Sequence, residues 1–191
     1  MMSIEDFNKE LTSGDTYVVD YTRATQNVRG VEFFDEEPVD ITSFALLQNR
    51  HSGGHSVSYY RVNFEKNASI MKGHQQCECM MKSEKGKRPW LLLVEMNYCD
   101  EKNIAINSEH AFIQLNKTLT YLREEGIVSA NDRIYLNVAV PPFSQHEPFD
   151  AFVMTQEEIM AEYVKNKITV FAYNQLEIQT ESYIMPLRRA I

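Results

Sequence analysis

The chain has 191 residues, 43% of them apolar and 24% charged, with 7 Gly and 6 Pro. That fits one globular domain over 1–191 and excludes a collagen-like or low-complexity polymer. The formal net charge of −8 gives no bulk attraction for nucleic acid or an anionic membrane, while leaving room for a local basic patch.

The opening, MMSIEDFNKELTSGD, is acidic and has no apolar h-region, so it does not read as a signal peptide. The longest apolar run, Trp90 to Val94, is too short to span a bilayer. Three Cys fall between residues 77 and 99. An odd count cannot pair fully within one chain and predicts reduced thiols, as in a cytoplasmic protein with no membrane partner.

Ser3 to Leu11 is predicted as a short helix, with Ser3 and Asp6 in a capping pattern and Ile4, Phe7 and Leu11 on one face. Thr16 to Thr22 (TYVVDYT) is rich in β-formers and predicts a strand. Asp40 to Asn49 is predicted as a second helix, capped by Asp40. His51-Ser52-Gly53-Gly54-His55 reads as a flexible break. The alternation from Val57 to Phe64 predicts a half-buried strand.

Gln76 to Lys82 (QCECMMK) and Trp90 to Tyr98 (WLLLVEMNY) predict two strands joined as a hairpin by the Gly86-centred turn. A helix capped by Ser108 is predicted to run to Glu125 and end at Gly126, with Ala111, Leu115, Thr118, Leu119 and Leu122 on one stripe. Arg133 to Val140 predicts a strand stopped by Pro141-Pro142. Thr155 to Lys165 predicts a further helix. Ile168 to Tyr173 and Glu177 to Ile184 predict late strands. Together these give an α/β fold, a mixed β-sheet flanked by helices.

One acidic residue falls in each strand of the central hairpin, Glu78 between Cys77 and Cys79, and Glu95 inside LLLVEMNY. A carboxylate on a buried strand is costly unless it is paired, hydrogen-bonded or bound to a cation. Glu78 and Glu95 on adjacent strands can share one divalent ion, for which Mg²⁺, with its preference for oxygen, is the candidate cofactor. Such an ion polarises a phosphoryl oxygen and supplies a nucleophilic hydroxide. The alternative is that both are edge residues, or pair with Lys72, Lys82 or Arg88.

The run from Cys77 to Leu122 resembles the core of the PD-(D/E)XK nuclease superfamily. In that family an acidic residue opens one strand, the next carries Glu-x-Lys after an apolar run, and a helix follows, often with an inward Gln. Glu78, Glu95 and Gln114 match those places, which implies a restriction-endonuclease-like core with a catalytic set of Glu78, Glu95, Asn97 and Gln114 and metal-binding Glu78 and Glu95. Asn97 stands where the catalytic lysine belongs, and an amide cannot act as a cation or titrate. The resemblance therefore implies a degenerate nuclease-like domain, weak or inactive as a phosphodiesterase, with Lys82 or Lys117 as candidates for a relocated lysine.

His74, Cys77, Cys79 and Cys99 contain zinc-ligating types but lack the usual two-residue Cys gap, so buried small cysteines are the favoured reading. Lys82, Lys85, Lys87 and Arg88 cluster at the hairpin tip, where they either meet the phosphates of a nucleic acid or stand as solvated gatekeepers. The rival function is a non-catalytic adaptor or inhibitor that docks an acidic surface onto a protein partner.

Overall fold

The computed structural model describes residues 2–25, 30–49, 56–143 and 166–187. Its strands are β1 (Lys9–Thr12), β2 (Thr16–Asp20), β3 (Val31–Phe34), β4 (Ala45–Gln48), β5 (Tyr59–Asn63), β6 (Cys79–Ser83), β7 (Trp90–Met96), β8 (Arg133–Ala139), β9 (Ile168–Phe171), β10 (Gln175–Thr180) and β11 (Tyr183–Pro186). The helices are α1 (Tyr21–Thr25) and α2 (Ile104–Glu124).

Two mixed sheets result. The first has the order β1-β5-β6-β7-β8-β9, the second β11-β10-β4-β2-β3. β6 and β7 form the expected antiparallel hairpin, with Cys79 opposite Val94 and Lys82 opposite Leu91. β7 and β8 are parallel. Parallel neighbours need a long crossover, and α2 supplies it, packing its buried Ala111, Leu115, Leu119 and Leu122 on Leu91, Leu93, Leu136 and Val138.

The other parity of β7 faces the second sheet. Trp90, Leu92, Val94 and Met96 meet Val18, Leu47, Leu176, Ile178 and Ile184 across a shared core. Every residue of β7 is buried, which is why it reads as a continuous apolar run rather than an alternating one. The architecture is thus mixed α/β in three layers, α2 on the first sheet and the first sheet on the second. Where helices were expected on both faces of one sheet, a second sheet covers one of them.

Several expectations change. The predicted helix at Ser3 stops after one 3₁₀ turn, Ile4–Asp6, although Ser3 and Asp6 do form a capping box. Asn67 explains the stop. Its side chain accepts from the Asn8 N–H (2.7 Å) and donates to the Asn8 carbonyl (3.1 Å), which draws the chain out to pair as β1 with β5.

The predicted helix over 40–49 is instead β4 at Ala45–Gln48. It is taken up between β2, antiparallel, and β10, parallel. Tertiary pairing there overrides a helix-like spacing. α2 begins at Ile104, a turn before Ser108, whose buried hydroxyl has no hydrogen-bond partner. It ends as expected at Gly126, whose φ of 82° suits glycine. The late strand over 177–184 is a hairpin, β10 with β11. The predicted helix over 155–165 and the 51–55 break lie outside the described residues.

Candidate functional site

Glu78 lies in the bend just before β6, one residue ahead of Cys79, which pairs with Val94, and this brings it beside Glu95 of β7. Both are buried, at 8% and 1% exposure. The two predicted acids do come together, at the C-terminal end of β7, and one guanidinium holds them. Arg23 Nη1 lies 3.3 Å from Glu78 Oε1 and 3.3 Å from Glu95 Oε1, and donates to the Met96 carbonyl at 2.8 Å.

Arg23 is aimed by Asp20, the buried last residue of β2. Asp20 Oδ1 accepts the Arg23 backbone N–H (3.1 Å), capping α1, while Oδ2 sits 3.3 Å from Arg23 Nε. Burial works against the charge of Arg23, but Glu78, Glu95 and Asp20 together outweigh it and raise its pKa further.

Glu78 Oε2 accepts the Met96 N–H at 2.6 Å, whereas Oε1, equally buried, accepts no hydrogen bond. Burial first, then the charge of Glu95, pushes the Glu78 carboxyl well above the usual carboxylate range. Burial also raises the Glu95 carboxyl above the usual carboxylate range, and its hydrogen bond with Glu78 and the charge of Arg23 offset that only in part. With the stronger upward push on Glu78, the pair favours one shared proton, held on the Glu78 side. Two carboxylates this close do not both ionise readily.

That assignment has a testable sign. An acid whose folded pKa exceeds its unfolded value holds more protons folded than unfolded between the two. Stability from Glu78 is then present near the ordinary carboxylate pKa and is lost as pH rises towards the folded value. Glu78→Gln copies the protonated form. We expect equal stability of variant and wild type near about pH 5 and a more stable variant near about pH 8, by about 1.4 kcal/mol per unit of raised pKa. Parallel urea-denaturation midpoints across that range would place the proton elsewhere.

The remaining predicted site residues have other partners. Asn97 donates from its side chain to the Asn107 carbonyl (3.2 Å) and pins the start of α2. Gln114 donates to the Gln76 carbonyl (3.3 Å). Neither hydrogen-bonds the acidic pair. Lys82 is 2.7 Å from Asp132 and donates to the Ile127 carbonyl, so it is spoken for. Lys117 donates to Gln75. Arg23 was not anticipated. Its one signal was indirect, the need of two buried carboxylates for a cation.

Cys77, ahead of β6, packs in the core beneath α2, while Cys79 of β6 packs in the core between the two sheets, and the Cys77 thiol donates to the Cys79 carbonyl. His74 packs on Tyr121, with centroids 4.2 Å apart. The zinc-type residues are therefore not gathered. Among the described residues, no group of three or more His, Cys, Asp or Glu is arranged to hold a metal ion.

All three cysteines are free. Burial raises the pKa of Cys77 and of Cys79 well above the ordinary thiol value, and only Cys99 is part-exposed. A native thiol titration should find one fast-reacting group and a denatured one three. Three fast groups before denaturation would contradict the packing.

No protein-family model, curated protein or solved structure matches the chain. Among the described residues, no helix is long and apolar enough to cross a membrane.

Proposed function

We propose that the chain is a degenerate nuclease-like domain with a restriction-endonuclease-like core, and that it binds a partner rather than cleaving phosphodiesters at neutral pH. The order β6, β7, α2, β8 supports the resemblance, with Glu78 and Glu95 brought together at one end of the hairpin. The observation that carries the loss of cleavage is Arg23, whose guanidinium stands between the two acids at 3.3 Å from each.

A divalent ion needs charged oxygens facing a common open position. Here one oxygen pair carries a proton and the shared position is filled by a tethered cation. Asn97 supplies no positive charge in the place of the lysine, and losing one positioned electrostatic stabiliser typically removes about two to three orders of magnitude in rate. The residues present therefore do not fit a resident Mg²⁺.

The test is titration of the purified chain with Mg²⁺ and Mn²⁺ by calorimetry, followed by cleavage assays on single- and double-stranded DNA and RNA. Heats no larger than buffer blanks and no cleavage are expected. Metal-dependent cleavage abolished by Glu95→Ala would overturn the proposal in favour of an active phosphodiesterase.

A further inference from the structure

At the opposite end of β7 from the acidic pair, a second site takes shape where three parallel strands begin. Glu95 and Trp90 are five residues apart on β7, which separates the two ends by roughly 17 Å. A cavity of about 300 Å³ there is lined by Arg88, Arg133, Lys167, Tyr135, Ile168 and Tyr183. A neighbouring one of about 340 Å³ shares Lys167 and adds Arg123.

The charge at this end runs against that of the whole chain. Arg88, Arg123 and Lys167 are exposed, on a protein of net charge −8. The acid that lines both cavities, Asp132, is itself buried. It is neutralised by Lys82 at 2.7 Å and accepts the Ser129 N–H at 2.9 Å. Lys82 therefore serves the floor, while at the rim, among the described residues, Lys167 donates only to the Ala130 carbonyl at 3.4 Å and pairs with no carboxylate. Beside the hairpin tip, Glu84 sits 3.6 Å from Lys85, and Glu181 packs against Gly86.

The floor is aromatic. Tyr135 is stacked on Phe171 (5.4 Å, 19°) and accepts the Ile184 N–H through its hydroxyl, so its ring is fixed. Tyr183 is 45% exposed, with the Arg133 guanidinium 5.8 Å from its ring centre. An exposed aromatic ring flanked by guanidinium and ammonium groups is the combination that holds a single-stranded nucleic acid, bases stacking on the ring and phosphates meeting the cations. A solvated turn with gatekeeping charges would account for Lys85 and Lys87. It would not account for cations drawn from three separate chain segments around one exposed tyrosine.

We propose that this cavity binds single-stranded nucleic acid, with Tyr183 as the stacking platform and Arg88, Arg133 and Lys167 as phosphate contacts. The proposal does not depend on the reading of Glu78 and Glu95, and it places the ligand away from them.

Fluorescence anisotropy with a labelled single-stranded 12-mer at low salt tests it. Binding should weaken with salt, with a log–log slope of about −2 for three phosphate contacts. Tyr183→Ala should weaken binding about tenfold and Tyr183→Phe should restore it, as stacking requires. Arg88→Glu and Lys167→Glu should each weaken it by about tenfold, while Lys102→Glu, an equal change of charge just before the start of α2, should leave it unchanged.

Absence of binding at low salt would overturn the proposal. So would indifference to Tyr183→Ala, or equal loss with Lys102→Glu, either of which would reduce the effect to general charge attraction. Heparin and a duplex of the same length serve as competitors. Displacement of the strand by heparin, with Tyr183→Ala leaving affinity unchanged, would likewise count against it.

Discussion

Arg23→Met lowers stability at about pH 8 by about 3 kcal/mol, towards the low end of the range for breaking a buried ion pair. The low end is expected because the Arg23 side chain is itself 44% exposed, while those of Glu78 and Glu95 are 7% and 1% exposed. Removing the guanidinium leaves two buried carboxyls sharing one proton and a net charge with no counter-ion. A second proton can replace the guanidinium in part, so the loss shrinks as pH falls towards about 5. Adding Glu95→Gln to Arg23→Met should recover much of the lost stability, because the partner that suffered is no longer charged. That non-additivity is the signature of direct coupling. Urea denaturation of wild type, both single variants and the double variant measures it, and strictly additive losses would show that Arg23 does not serve the pair. If the double variant recovers while Arg23→Met alone gains Mn²⁺ binding, the arginine is what keeps ions out.

Trp90→Ala should cost about 3–5 kcal/mol, the usual range for emptying a large aromatic site in a core. For a chain of this length that is a fall in Tm of roughly 6–20 °C. Trp90 is fully buried, with Tyr59 at 5.6 Å and an indole N–H that donates to the Thr180 carbonyl at 3.1 Å. Its backbone N–H lies between Ser83 Oγ (3.0 Å) and the Glu181 carbonyl (3.3 Å). The side chain thus ties the first sheet to the hairpin of β10 and β11. Trp90→Phe fills most of the space but strips the Thr180 carbonyl of its donor, so it should cost less, about 1–3 kcal/mol. Circular dichroism melts report all three proteins. Equal melting of wild type and Trp90→Ala would mean that the two sheets are not joined through this residue.

The central hairpin, α2 and β8 were legible because local rules agree there. Two β-rich runs flank a turn, and an amphipathic stretch ends in glycine, although the cap expected at Ser108 is not used. The meeting of Glu78 and Glu95 was expected from their places on two neighbouring β-rich runs and from the cost of burying a lone carboxylate. Arg23 was not legible, since it meets Glu78 and Glu95 from 55 and 72 residues away in sequence, through a helix of one and a half turns beside a different sheet. One of the expected local partners, Lys82, is taken by Asp132, again a distant residue. β4 was misread because ITSFALLQ satisfies a helical spacing as well as a strand, and only β2 and β10 on either side decide between them. Asn67 played the same part at the start of the chain, holding Asn8 extended against a good helix signal.

The place of β4 has a consequence for how the chain folds. Residues 45–48 pair with β2, close by in sequence, and with β10 at Gln175–Glu177. The second sheet therefore closes only over a loop of more than a hundred residues, whose entropy must be met before its contacts form. During synthesis β2, β3 and β4 emerge early and wait, with one flank of β4 open, while the first sheet and α2 assemble. Exposed strand flanks of that kind favour association between chains. In refolding from urea, quenching of the single tryptophan's solvent-exposed emission should lag behind the helical signal of α2, and the yield should fall as protein concentration rises.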